Sequence, residues 1–65
     1  MMKYKIFLID ACIIAADGID VYNYLRRSFK KFKSANGLNC VIVDEETAMF
    51  LRIKYPDLRM YHNEI

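Results

Sequence analysis

Ile6-Phe7-Leu8-Ile9-Asp10 and Val41-Ile42-Val43-Asp44 are two versions of one phrase, an apolar run that ends in a carboxylate and leads towards a helix-like stretch. In each run both alternate sets of residues are apolar. That is the pattern of a strand buried on two faces, as in a parallel sheet. The acids fall at the C-terminal ends of the strands, where ligands bind in open α/β sheets.

Extended back to Lys3, the first run predicts a strand over Lys3–Ile9. Ala11-Cys12-Ile13-Ile14-Ala15-Ala16 fits either more strand or a helical turn, and β-branched Ile13-Ile14 favour a long or bent strand. Asp17-Gly18 is a stop followed by a start. Asp17 reads as a helix N-cap, with Asp20 placed where the dipole favours an acid. The helix is predicted from about Ile19 to Lys33, with an apolar stripe of Val21, Tyr22, Leu25, Phe29 and Phe32. Asn36-Gly37 is its C-terminal punctuation. The second strand runs Asn39 to Val43. Asp44 then caps a second helix whose first turn holds Glu45 and Glu46, and Pro56 ends that helix at or before Tyr55. Leu58 to His62 alternates like an edge strand, Leu58, Met60 and His62 against Arg59, Tyr61 and Asn63. The expected architecture is a single α/β domain over 1–65: a small three-stranded, mainly parallel sheet with two helices, in the order β-α-β-α-β with right-handed crossovers.

A chain of 65 residues buries only about 60% of its unfolded surface, and small scaffolds usually need a staple. Cys12 and Cys40 are too few for a disulfide framework. Both lie in apolar runs, which suits buried, reduced thiols and a cytoplasmic protein. His62 is the only histidine, and no C-x-x-C or H-x-x-x-H spacing occurs, so neither metal nor cofactor is expected. The apolar stretch 11–16 is too short to span a membrane, and no targeting segment is evident. The remaining staple is a partner chain, and an apolar content of 55% agrees with it.

Two surfaces stand out. On a helical wheel Ala48, Leu51 and Tyr55 fall on one side, and Met49, Phe50 and Ile53 on another. One stripe suffices to cover a sheet, so the second predicts an interface, self-association through a closed two-fold dimer being the commonest form. The other surface is basic. Arg26, Arg27, Lys30, Lys31 and Lys33 occur within eight residues and include no acid. Cations also belong in the last turn of any helix, where they offset the dipole. The leading expectation is a non-enzymatic binding or regulatory protein that works through a protein interface, anchored by Met49, Phe50 and Ile53 and guided by Arg26, Arg27, Lys30 and Lys31. The alternative is nucleic-acid binding by the basic face of the first helix, with Tyr24 near its edge. A third reading uses Asp10 and Asp44, with Glu45, to hold Mg²⁺ for phosphoryl transfer, and needs both acids at one edge of the sheet.

Overall fold

The computed structural model describes residues 2–63. It contains a four-stranded sheet and two helices: β1 (Lys3–Phe7), α1 (Val21–Ser28), β2 (Lys31–Lys33), β3 (Asn39–Asp44), α2 (Glu45–Lys54) and β4 (Tyr61–Asn63). The strand order is β2-β3-β1-β4, and every neighbouring pair is antiparallel. The expected three-stranded, mainly parallel sheet in β-α-β-α-β order is therefore wrong. The element order is β-α-β-β-α-β, the split-βαβ or ferredoxin-like arrangement.

The reason lies in an unforeseen strand. β1 and β3 each run antiparallel to their neighbours, so β1 and β2 point the same way, as do β3 and β4. Each helix does connect two strands of like direction, as crossovers require. A third strand is inserted between the members of each pair: β3 separates β1 from β2, and β1 separates β3 from β4.

The first helix is also shorter than its apolar stripe implied. It starts at Asp20, whose carboxylate accepts from the Asn23 backbone N–H at 3.4 Å and from its side-chain amide at 2.7 Å. Asp17 instead closes the preceding turn, accepting from the Ile19 N–H at 3.1 Å. The helix stops at Phe29, which is already extended at φ −131° and ψ 152°. Lys31-Phe32-Lys33 then alternates as a strand and not as a helical turn. Asn36-Gly37 belongs to a hairpin. Ser34 N–H bonds to the Leu38 carbonyl at 2.8 Å, Gly37 N–H to the Ser34 carbonyl at 2.9 Å, and Gly37 has φ +80°. A tight turn followed by a left-handed glycine is a common three-residue hairpin loop.

Residues 8–20 form neither a prolonged strand nor a helix. A turn at Leu8–Ala11 is followed by a small loop in which the Ala15 N–H bonds to the Ile19 carbonyl and Ile14 bridges Asp20. Cys12 is consequently exposed, against expectation, while Cys40 is buried, and both are free thiols.

One core joins the layers. Tyr4, Ile6 and Leu8 from one alternation of β1 and its extension meet Val41 and Val43 of β3. Val21 and Leu25 of α1, and Ala48, Leu51 and Tyr55 at α2, cover them. Leu58 seals the approach to β4. Both helices therefore lie on the same side of the sheet. The two-face burial read from Ile6–Ile9 and Val41–Val43 does not occur: Phe7 and Ile42, on the opposite side, are only half-buried, and Ile9 is exposed in the turn.

Candidate functional site

Two surfaces remain once the core is assembled: the outward side of α2 and the uncovered face of the sheet.

Asp44 sets the first turn of α2. Its carboxylate accepts from the Thr47 N–H at 2.8 Å. The Thr47 side chain and N–H, and more weakly the nearby Lys3, hold its carboxyl below the usual carboxylate range. Ala48, Leu51 and Tyr55 turn inward and are buried. Met49, Phe50 and Ile53 turn outward, with 57%, 56% and 84% of their surface exposed. Arg52 and Lys54 flank them and both lean over aromatic rings: Arg52 lies 5.0 Å from the Tyr4 ring centre, and the Lys54 ammonium lies 5.8 Å from those of Tyr24 and Phe50.

The basic run does not form one helical face. Arg26 and Arg27 lie in the last turn of α1, Lys30 in the link, and Lys31 and Lys33 on β2. All five are exposed. Their separation follows from the early end of α1, so the premise of a basic stripe running along one helix to Lys33 fails.

The register defines the second surface. Phe32, Cys40 and Phe7 form a row across β2, β3 and β1. The next row is Ile42, Lys5 and Tyr61, and the third is Asp44, Lys3 and Asn63. The rings of Phe7 and Tyr61 meet edge to face at 5.5 Å. The Lys5 ammonium lies 5.7 Å from the Phe7 ring centre, and that of Lys30 lies 5.6 Å from Phe32. Phe32 and Tyr61 keep 39% and 43% of their surface exposed.

The chain matches no protein-family model, and no curated protein or solved structure is significantly similar to it. The β-α-β-β-α-β arrangement hosts many unrelated functions and does not select one.

The acids at the strand ends are not brought together. Lys3 pairs with Asp44 at one end of the β1–β3 ladder and Phe7 with Cys40 at the other, and Asp10 lies beyond Phe7. Asp10 and Asp44 therefore occupy opposite ends of the sheet, because the strands are antiparallel. Among the described residues no three His, Cys, Asp or Glu side chains cluster as metal ligands. His62 is exposed on the helix side of β4 and packs edge to face on Tyr4 at 4.8 Å. No helix among the described residues is long and apolar enough to cross a membrane.

The sequence singled out Phe32 and Phe29 as one helical stripe and so missed the sheet face altogether. The available signal was period two: Lys31-Phe32-Lys33 before the Asn-Gly turn, and Asn39–Asp44 after it.

Proposed function

We propose that this chain is a non-enzymatic binding protein that works through a protein interface, and that it self-associates through the outward side of α2. The observation that carries this is the exposure of Met49, Phe50 and Ile53 on the side of α2 facing away from the sheet. Large apolar side chains gathered on one helix face commonly mark an interface.

The charges on α2 favour a second copy as the partner. Glu45 and Glu46 occupy its first turn, and Arg52 and Lys54 its last. In an antiparallel, two-fold pair the acidic end of each helix faces the basic end of the other, which makes the patch self-complementary. A helix of ten residues is about 15 Å long, so these ends lie within reach of their counterparts. A stable interface covers about 800 Å² on each partner, roughly a sixth of this molecule's 4707 Å² surface. The contact therefore extends beyond the three anchors to their charged flanks. Arg26 and Arg27, on the neighbouring helix, act here as an electrostatic guide; Lys30 and Lys31 lie on the β2 side of the molecule.

The test is the solution mass across a concentration series. Wild type should show a reversible monomer–dimer equilibrium, and Phe50→Ala should weaken it by about 2 kcal/mol, roughly thirtyfold. Glu46→Lys should weaken it as well, and combining that change with Lys54→Glu should restore it. A monomer at all concentrations, or a Phe50→Ala dimer as tight as wild type, would overturn the proposal.

A further inference from the structure

We propose that the uncovered face of the sheet is a stacking platform for a single-stranded polynucleotide. The proposal uses a surface on the other side of the sheet from α2 and does not depend on self-association there.

The face is aromatic. Phe32, Phe7 and Tyr61 come from β2, β1 and β4 and stand on the side away from both helices. The Phe32 and Phe7 strands are two ladder spacings apart, about 10 Å, so these rings do not stack on each other and offer two separate stacking positions. Phe7 and Tyr61, in contact at 5.5 Å, make a second, composite ring surface. A four-stranded sheet that presents two or three aromatic residues is well suited to stack unpaired bases.

The face is also cationic. The register puts Lys3 and Lys5 on it, and Lys30 leads into β2 beside Phe32, against the single acid Asp44; Lys31 and Lys33 pair with Val41 and Asn39 and stand on the helix side. The other acids among the described residues lie elsewhere: Asp10, Asp17 and Asp20 before α1, Glu45 and Glu46 in α2, and Asp57 in the turn after it. The Lys5 and Lys30 ammonium groups lie over the Phe7 and Phe32 rings, 5.7 Å and 5.6 Å from the ring centres, and a stacking base displaces these flexible side chains towards its own phosphates. Cations placed beside stacking rings fit a ligand whose bases and phosphates alternate along one chain.

The other occupants fit less well. A second copy docked face to face across a two-fold axis at the sheet centre would set Lys5 against Lys5 and Lys3 near Lys3, burying like charges. A double helix keeps its bases stacked and paired, so it has no free base faces for these rings. A merely acidic peptide would engage the lysines and leave the rings unused.

Fluorescence anisotropy with labelled twelve-nucleotide RNA and DNA strands of mixed sequence tests this at low salt. Wild type should bind one or both, and the two arms show whether the sugar matters. Phe32→Ala and Tyr61→Ala should each weaken binding about five- to a hundredfold, the loss expected for one stacked base. Phe32→Leu and Tyr61→Leu keep the apolar volume and should lose affinity too, with unchanged thermal melts showing an intact fold. Lys30→Gln should flatten the dependence of log affinity on log salt by about 0.7, one phosphate contact. Phe50→Ala should leave oligonucleotide binding intact, which separates this site from the α2 interface. Failure to bind at low salt would overturn the proposal. So would equal binding of duplex, displacement by polyglutamate with no effect of the ring substitutions, or ring substitutions that change the solution mass without changing oligonucleotide affinity.

Discussion

Asp44 joins the two layers of this protein, since it ends β3 and caps α2 at once. Its hydrogen bonds to Thr47 exist only in the folded chain and favour the carboxylate, so its folded pKa lies below its unfolded one. A depressed carboxylate contributes stability above its unfolded pKa and loses it as pH falls through the folded one. Thermal melts should therefore show wild type losing stability below about pH 4, the ordinary range for an aspartate. Asp44→Asn still caps but does not titrate, and should show a shallower acid slope. Equal slopes in the two proteins would count against Asp44 as a source. This cap was legible in the sequence because its partners lie only three residues away. Asp20 was harder to pick out, since Asp17 three residues earlier carries the same side chain and a glycine beside it. The Ala15–Ile19 backbone bond decides between them by placing Asp17 in a turn.

At the scale of elements, the β2–β3 hairpin is the piece on which the fold depends. Gly37 holds it at φ +80°, with nothing within 4 Å of where a Cβ would stand. An alanine there meets no neighbour and costs only the left-handed backbone, about 1–2 kcal/mol. Gly37→Ala should lower the midpoint of denaturant unfolding accordingly, and Gly37→Asn, which tolerates this conformation, should lower it less. Equal midpoints for Gly37→Ala and wild type would show that the turn is not strained. The same dipeptide explains why the fold was only partly legible. Asn-Gly suits a left-handed residue, and both a helix end and a hairpin use one. Phe29 and Phe32, three apart, continue a helical stripe, although Phe32 in fact alternates with Lys31 and Lys33. α2 was easier, because its cap, first-turn acids and terminal proline all agree, and its two apolar stripes separate into buried and exposed sets.

On the scale of the whole molecule, the two apolar runs were readable as neighbouring strands but not as antiparallel ones. Their direction is set by the number of strands between them, and β2 hides inside a basic segment. With helices on one side only, Phe7, Ile42 and Tyr61 are left as a surface, which no local pattern in either run announces. The platform is a product of topology. Its residues come from every strand and from chain positions as distant as Lys3 and Asn63.

The central position of β1 has a consequence for how the chain folds and how it fails. β1 has no partner close in sequence; the β2–β3 hairpin is local, whereas the β1–β4 pairing joins Lys3 to Asn63. Local pairings close first, and the longest loop closes late. Among the described residues β4 spans three and pairs with β1 alone, so its fraying turns β1 into an open edge. A newly bared strand is a template for another molecule, and lysines are the usual guard against that. Lys3 and Lys5, alternating with Tyr4, stand along this latent edge. Replacing both by threonine keeps the strand and removes the guard. The variant should form thioflavin-positive aggregates faster than wild type on agitation, and an unchanged rate would mean that β4 seldom lets go.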